Sequence, residues 1–401
     1  MIDWNILVSQ IATVAFDIVY FGAIISTIVV IILDNRNPVK TMAWILILLF
    51  LPIVGLVFYF FFGRSQRRER IIGQKSYDRL LKKPMAEYMA QDCSDVPEEY
   101  ARLIQLFQHT NQAFPFEGNR IAVYTEGYTK LQSLLRELQK AKQHIHIEYY
   151  IFEDDAIGRL VRDVLIEKAS QGVEVRVIYD DVGCWHVPNR FFEEMRNAGI
   201  EVRSFLKVRF PLFTSRVNYR NHRKIVVIDG RIGFVGGMNL AERYMRGFSW
   251  GIWRDTHILI EGKAVHGLQT AFLLDWYFVD RTLITASRYF PKIESCGSSL
   301  VQVVTSEPIG PWKEIMQGLT MAINGAKKYF YMQTPYFLPT EQVLAAMQTA
   351  ALAGVDVRLM LPERADNRIT HLGSHSYLAD VMQAGVKVYF YKKGFLHSKL
   401  M

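Results

Sequence analysis

The strongest constraint on this chain is that much of it is written twice. AKQHIHIEYYIF, starting at Ala141, recurs as AKKYFYMQTPYF at Ala326, and GVEVRVIYDD at Gly172 recurs as GVDVRLMLPE at Gly354. NAGIEVRSF then aligns Gly199 with Gly385 of QAGVKVYFY. Three matches at one spacing, roughly 185 residues, mark a duplicated structural unit. Within a copy, β-branched runs such as Val173–Val177 alternate with amphipathic stretches such as Gly158–Ser170. The order strand, helix, short strand, helix, short strand requires helices on both faces of a mostly parallel or mixed sheet. Two α/β domains related by a pseudo-twofold axis are therefore expected. A chain of 401 residues with 50% apolar content has the material for their cores.

The last shared element carries reactive side chains. NHRKIVVIDGRIGFVGGMN holds His222 and Lys224, and GFLHSKLM holds His397 and Lys399; the first copy has extra residues just upstream of its pair. Two positions apart on a strand, His222 and Lys224 leave the same face. Ile225–Ile228 reads as a buried run, Asp229-Gly230 as a hairpin turn, and Ile232–Gly236 as the returning strand. An imidazole beside an ammonium group suits a phosphodiester. Lysine neutralises the non-bridging oxygens, one histidine attacks phosphorus, and the histidine of the other copy protonates the leaving alkoxide and later deprotonates the acceptor. That scheme needs no metal and no cofactor. Gly236 and Gly237 let backbone approach a ligand, and Asn239 offers it an amide. Glu148 and Gln333 hold equivalent places in the two copies; they either line the cleft or are satisfied polar residues of core strands. His371 and His375, an i, i+4 pair, lack a carboxylate to complete a metal site, and His144 and His146 sit in a core strand; neither pair is assigned a role. Cys93, Cys184 and Cys296 show no metal or disulfide spacing.

A net charge of +8 suits an anionic partner, either nucleic acid or an acidic membrane surface. The N-terminus decides between them. Residues 42–62 contain no charge and would span roughly 30 Å as a helix, the thickness of a bilayer core. Residues 18–33 are equally apolar, and Asp17 lies at the edge of that span. A transmembrane helical hairpin over 1–62 is expected, with 63–115 a charged tether and helical lead-in, 116–290 the first α/β domain and 291–401 the second. Arg64, Arg67, Arg68 and Arg70 outnumber Arg36 and Lys40 of the connector, which argues for catalytic domains on the cytoplasmic side. The stretch upstream of His222 interleaves Lys207, Arg209, Arg216 and Arg220 with Phe210 and Phe213, a mixture suited to lipid headgroups.

The pattern H-x-K-x4-D-x6-G-G-x-N, once in full and begun again in the duplicate, resembles the signature of the phospholipase D superfamily. NPVKTMAWILILLFLPIVGLVFYFFFG and WRDTHILIEGKAV resemble, more narrowly, segments of bacterial cardiolipin synthases. The resemblance implies tandem phospholipase D-type α/β/α sandwich domains, and a reaction joining two phosphatidylglycerol molecules into cardiolipin with release of glycerol, through a phosphatidyl-histidine intermediate. It implies a bacterial cytoplasmic-membrane location, phosphatidylglycerol and anionic lipid as partners and no nucleic acid; a homo-oligomer stays open. Residue by residue, His222, Lys224 and Asn239 match the first motif, and His397 and Lys399 the second. Asp229 matches the motif aspartate, or simply caps its hairpin. Gly237 stands where the family often has serine. Asp255 begins a strand on which related enzymes place a carboxylate that orients the imidazole. The second motif stops before its aspartate, so the second domain is expected to be C-terminally incomplete. Alternatives are a phospholipase D or other headgroup exchange, and an inactive membrane-binding fragment.

Overall fold

Both copies fold as the alternation of patterns requires. The computed structural model describes residues 4–34, 38–59, 96–207, 220–307 and 312–401, in two compact units, one holding the N-terminal helices and the other both α/β copies.

In the N-terminal unit, α1 (Trp4–Asp34) contains an apolar stretch, Gln10–Leu33, long enough to cross a membrane. The expected second span is not one helix. It breaks into α2 (Pro38–Phe50) and α3 (Pro52–Phe58), and α3 folds back along α2 so that the Trp44 and Tyr59 rings meet at 5.4 Å. The cause is local. Pro52 has no N–H to continue the ladder and disfavours helical geometry at Leu51, which sits at φ −136°, ψ 66°. Gly55 completes the turn, because a Cβ there would lie 3.2 Å from Ile47 Cγ2.

In the catalytic unit, a lead-in helix α4 (Glu98–Asn111) precedes β1 (Pro115–Tyr124), α5 (Gly127–Lys140) and β2 (His144–Tyr149). The first copy continues through α6 (Ala156–Ser170), β3 (Glu174–Asp180), α7 (Asn189–Asn197) and β4 (Glu201–Phe205). The hairpin β5 (Lys224–Ile228) and β6 (Ile232–Gly236) follows, then α8 (Arg243–Arg246), β7 (Ile252–Arg254), β8 (His257–Glu261), α9 (Val265–Asp280) and β9 (Ser299–Gln302). One eight-stranded sheet runs β4-β3-β2-β5-β6-β8-β1-β9, parallel among β2, β3 and β4 and antiparallel elsewhere. Leu131, Leu134 and Leu138 of α5 pack on Ile145, Ile147 and Val177 from one face; each such burial contributes about 1.5–3 kcal/mol. Asp155 caps α6 by accepting from Ile157 N at 3.0 Å and Gly158 N at 2.9 Å. β9 belongs to this first sheet, so the segment after residue 291 does not open the second domain at once.

The second copy comprises α10 (Glu314–Gly325), β10 (Tyr329–Gln333), α11 (Glu341–Leu352), β11 (Asp356–Pro362), α12 (Arg368–Ser376), α13 (Leu378–Gln383) and β12 (Lys387–Tyr391). Its strands run parallel in the order β10-β11-β12, matching β2-β3-β4. The final strand, β13 (Gly394–Leu396), pairs instead with β7 of the first copy, placing Phe395 opposite Trp253. Three residues past His397, the chain returns to its own copy, where Leu400 bridges Gln333. The second His-x-Lys pair is thus strung between the two copies.

Candidate active site

The first motif enters on the loop that becomes β5. Lys224 stands opposite Tyr149 of β2, which fixes its height in the sheet. Its Nζ donates to His222 Nδ1 at 3.0 Å and to the His222 carbonyl at 2.6 Å. The Tyr150 ring packs on the His222 imidazole at 4.5 Å and lies 5.2 Å beneath Lys224 Nζ. The neighbours of His222 anchor it from both sides. Asn221 donates through Nδ2 to Glu148 Oε1 and, at 3.1 Å, to Asp275 Oδ2, while its backbone N–H donates to Asp180 Oδ2 at 3.1 Å. Arg223 pairs with the same Asp275 carboxylate and donates its backbone N–H to Asn221 Oδ1 at 3.0 Å. Burial, reinforced by Asp275, holds the Glu148 carboxyl well above the usual carboxylate range.

The second motif is oriented by the first copy. Asp255, buried in the connection between β7 and β8, pairs through Oδ2 with His397 Nδ1 at 2.6 Å, and its Oδ1 accepts from Thr256 N at 2.7 Å. The pairing holds a proton on His397 Nδ1 and leaves Nε2 as the nitrogen that gives and takes a transferred proton. His397 N donates to Arg254 O at 2.7 Å, and Thr256 Oγ1 meets Ser398 Oγ at 3.0 Å. Trp253, Phe395 and Tyr336 surround the ring at 5.1, 5.6 and 6.2 Å. Lys399 Nζ reaches His397 Nε2 at 3.0 Å.

The two motifs share one electrostatic environment. Burial, then Lys224, Lys399 and His397, lowers His222 to about 3, leaving it unprotonated at neutral pH. Burial and then Lys399 bring Lys224 to about 7, and burial brings Lys399 to about 8. His397 is lowered by burial against the opposing Asp255 hydrogen bond. Two buried lysines, one further depressed by the other, gain from a nearby negative charge, and a phosphate group supplies it.

Several expected roles change. Asp229 braces its hairpin: at φ +53° in the β5–β6 turn, it accepts from the backbone of Lys142, Gln143 and His144 at 2.8–2.9 Å, at the far end of β5. Asn239 is buried, donating to Tyr244 OH and accepting from Ile151 N at 3.1 Å, so it braces the site rather than facing a ligand. Gly237 serves clearance: a Cβ there would lie 2.1 Å from Asp255 Oδ1. Glu148 holds the His222 loop from within the core instead of lining a cleft. Gln333 bonds Leu400 through its backbone at 2.8 and 3.0 Å, while its side-chain oxygen is buried without a partner. Arg220 turns inward to Asp180 at 3.6 Å, which withdraws it from the lipid-contact set. Lys207 is exposed; Arg209, Phe210, Phe213 and Arg216 lie outside the described residues. Among the described residues no cluster could hold a metal ion. Sequence reasoning missed Asp180, Asn221, Arg223 and Asp275. A lone Asp275 in the apolar run of α9 was the available signal.

Two His-x-Lys pairs converging from duplicated α/β units, one imidazole held by a buried carboxylate, define a phospholipase D-type phosphoryl-transfer site. A family model described as cardiolipin synthase, PLD-like domain, matches residues 134–275 and 319–401, and a phospholipase D-nuclease N-terminal model matches 22–64. A cardiolipin synthase of Geobacillus kaustophilus is 41% identical over 96% of this chain and 78% of its own length. The major cardiolipin synthase ClsA of Bacillus subtilis is 36% identical, over 97% and 83% respectively. The chain therefore belongs to the cardiolipin synthase family of phospholipase D-like phosphatidyltransferases. Phosphatidylserine synthase of Haemophilus influenzae shares the fold, with a TM-score of 0.52 over 75% of this chain and 79% of that one at 14% identity.

Proposed function

We propose that this protein joins two phosphatidylglycerol molecules into cardiolipin and releases glycerol. The observation that carries the reading is the contrast between the two imidazoles. His222, unprotonated, attacks the phosphorus of the first lipid; the bond from phosphorus to the headgroup oxygen breaks, and His397 gives that oxygen its proton as glycerol leaves. The second phosphatidylglycerol then loses a hydroxyl proton to His397 and attacks the phosphatidyl-histidine, forming cardiolipin and freeing His222. Asp255 stabilises the imidazolium form of His397 that donates in the first step and is regenerated in the second. Lys224 and Lys399 bind the non-bridging oxygens. Membrane attachment through α1, with the catalytic domains on the cytoplasmic side, suits substrates that never leave a bilayer.

Lipid mass spectrometry on phosphatidylglycerol vesicles tests this. Cardiolipin and free glycerol are expected from the wild-type chain and neither from His222→Ala. Phosphatidic acid as the sole product would make water the acceptor and the protein a phospholipase. Unchanged cardiolipin output from His222→Ala would sink the mechanism.

A further inference from the structure

Ile369 is 80% exposed, more than any large apolar side chain among the described residues of the N-terminal helices, where Phe50 reaches 79%. Leu372, one turn along α12, is 60% exposed, and Leu338, at 51%, leans on the same helix with Cδ2 2.9 Å from the place of a Cβ on Gly373. Single exposed apolar residues are ordinary, whereas a contiguous group with a basic rim marks an interaction surface. The outward setting is fixed from beneath. Asn367 caps α12 by accepting from Ile369 N at 2.8 Å and Thr370 N at 3.3 Å, and the opposite face is pinned where Phe337 N donates to the buried Ser374 Oγ at 2.9 Å. Arg368 is exposed at the start of the helix, and the Arg364 guanidinium lies 5.9 Å over the Trp250 ring. The patch adjoins the chemistry: Asp366, between the two arginines, accepts from Tyr336 OH at 2.8 Å, and the Tyr336 ring is 6.2 Å from His397. The first copy repeats the device. Its corresponding loop exposes Trp185 and, at Gly183, rests on Tyr150, the residue packed on His222.

We propose that Ile369, Leu372 and Leu338 form an interfacial anchor that inserts into the outer layer of an anionic bilayer. Arg364 and Arg368 meet lipid phosphates, and the His397 side of the site is seated at headgroup depth. The site decides the occupant: the apolar ridge adjoins the imidazole that acts on a lipid, in a chain with an apolar helix long enough to cross a membrane. The exposed Glu363 and Asp366 balance Arg364 and Arg368, so apolar insertion rather than net charge drives the contact. The proposal rests on the membrane-lipid reading above but is measured as depth, so its failure and that of the reaction are separable.

The test places a nitroxide at Leu372→Cys in the full chain, with Cys93→Ser and Cys296→Ser, in nanodiscs of phosphatidylglycerol and phosphatidylcholine. Power-saturation EPR should find this label accessible to oxygen and shielded from a water-soluble nickel chelate, while a label at the exposed Leu352→Cys stays aqueous. An aqueous Leu372 label overturns the proposal. In parallel, Ile369→Asp/Leu372→Asp should raise the vesicle KM roughly tenfold and leave turnover of short-chain, monomeric phosphatidylglycerol unchanged. Equal losses on both substrates would make the patch structural and overturn it as well.

Discussion

Asp255 shows how much a single carboxylate does here. It belongs to the first copy, yet it orients the histidine of the second, and Gly237 is bare so that it fits. Asp255→Asn keeps the shape but offers an amide where His397 Nδ1 needs an acceptor with charge. We expect kcat to fall by on the order of 10²–10⁴, with KM for phosphatidylglycerol little changed, because the carboxylate touches the imidazole and not the lipid. The pH profile carries the sign. The Asp255 hydrogen bond raises the proton affinity of His397 against burial, so its loss lowers that affinity and moves the alkaline limb of the kcat profile to lower pH. Steady-state kinetics across pH check both, and a variant with a lower plateau but an unmoved limb would leave Asp255 a purely structural role. At this scale the sequence was partly legible. His222, Lys224, His397 and Lys399 could be read because each pair is adjacent in the chain. The Asp229 alternatives were settled only by its backbone contacts, and the Asn221–Glu148–Asp275 anchor joins residues far apart in sequence.

The elements of the duplicate were legible because each has one clear period, whereas the second apolar segment was not. Uncharged residues at 42–62 have the length of a span, and hydropathy does not register that Pro52 and Gly55 turn the chain back on itself. The fold-back alters topology. A hairpin of two full spans would leave both ends on one side, whereas α3, about 10 Å long, doubles back along α2, about 20 Å long, and completes no second span. On this reading we expect Lys40 on the cytoplasmic side and Ser9, within a first stretch that contains no Lys or Arg, on the other. We therefore expect a cysteine at Ser9, in cells, to react with an impermeant maleimide and one at Lys40 to react only after lysis. A protected Ser9 site together with a reactive Lys40 site in intact cells would restore the two-span hairpin.

At the scale of the molecule, duplication predicts two equivalent half-sites, and the structure makes them unequal. His397 has its carboxylate from the other copy, while among the described residues His222 has none hydrogen-bonded to it. β13 explains the difference: it leaves the second copy to pair with β7, carrying His397 under Asp255. This crossing was not legible in the sequence, since nothing in Phe395–Leu396 states which strand will accept it. Its consequence is that one chain supplies both imidazoles, both lysines and the orienting carboxylate. Two chains, one His222→Ala and the other His397→Ala, should therefore remain inactive when mixed in a single population of nanodiscs, whether or not copies associate. Were the crossing exchanged between copies, each mixed pair would rebuild one intact site, and cardiolipin synthesis would recover to roughly a quarter of the wild-type rate on random pairing. The same mixed preparation, assayed by mass spectrometry beside the separate variants, distinguishes a site closed within one chain from one completed by a second.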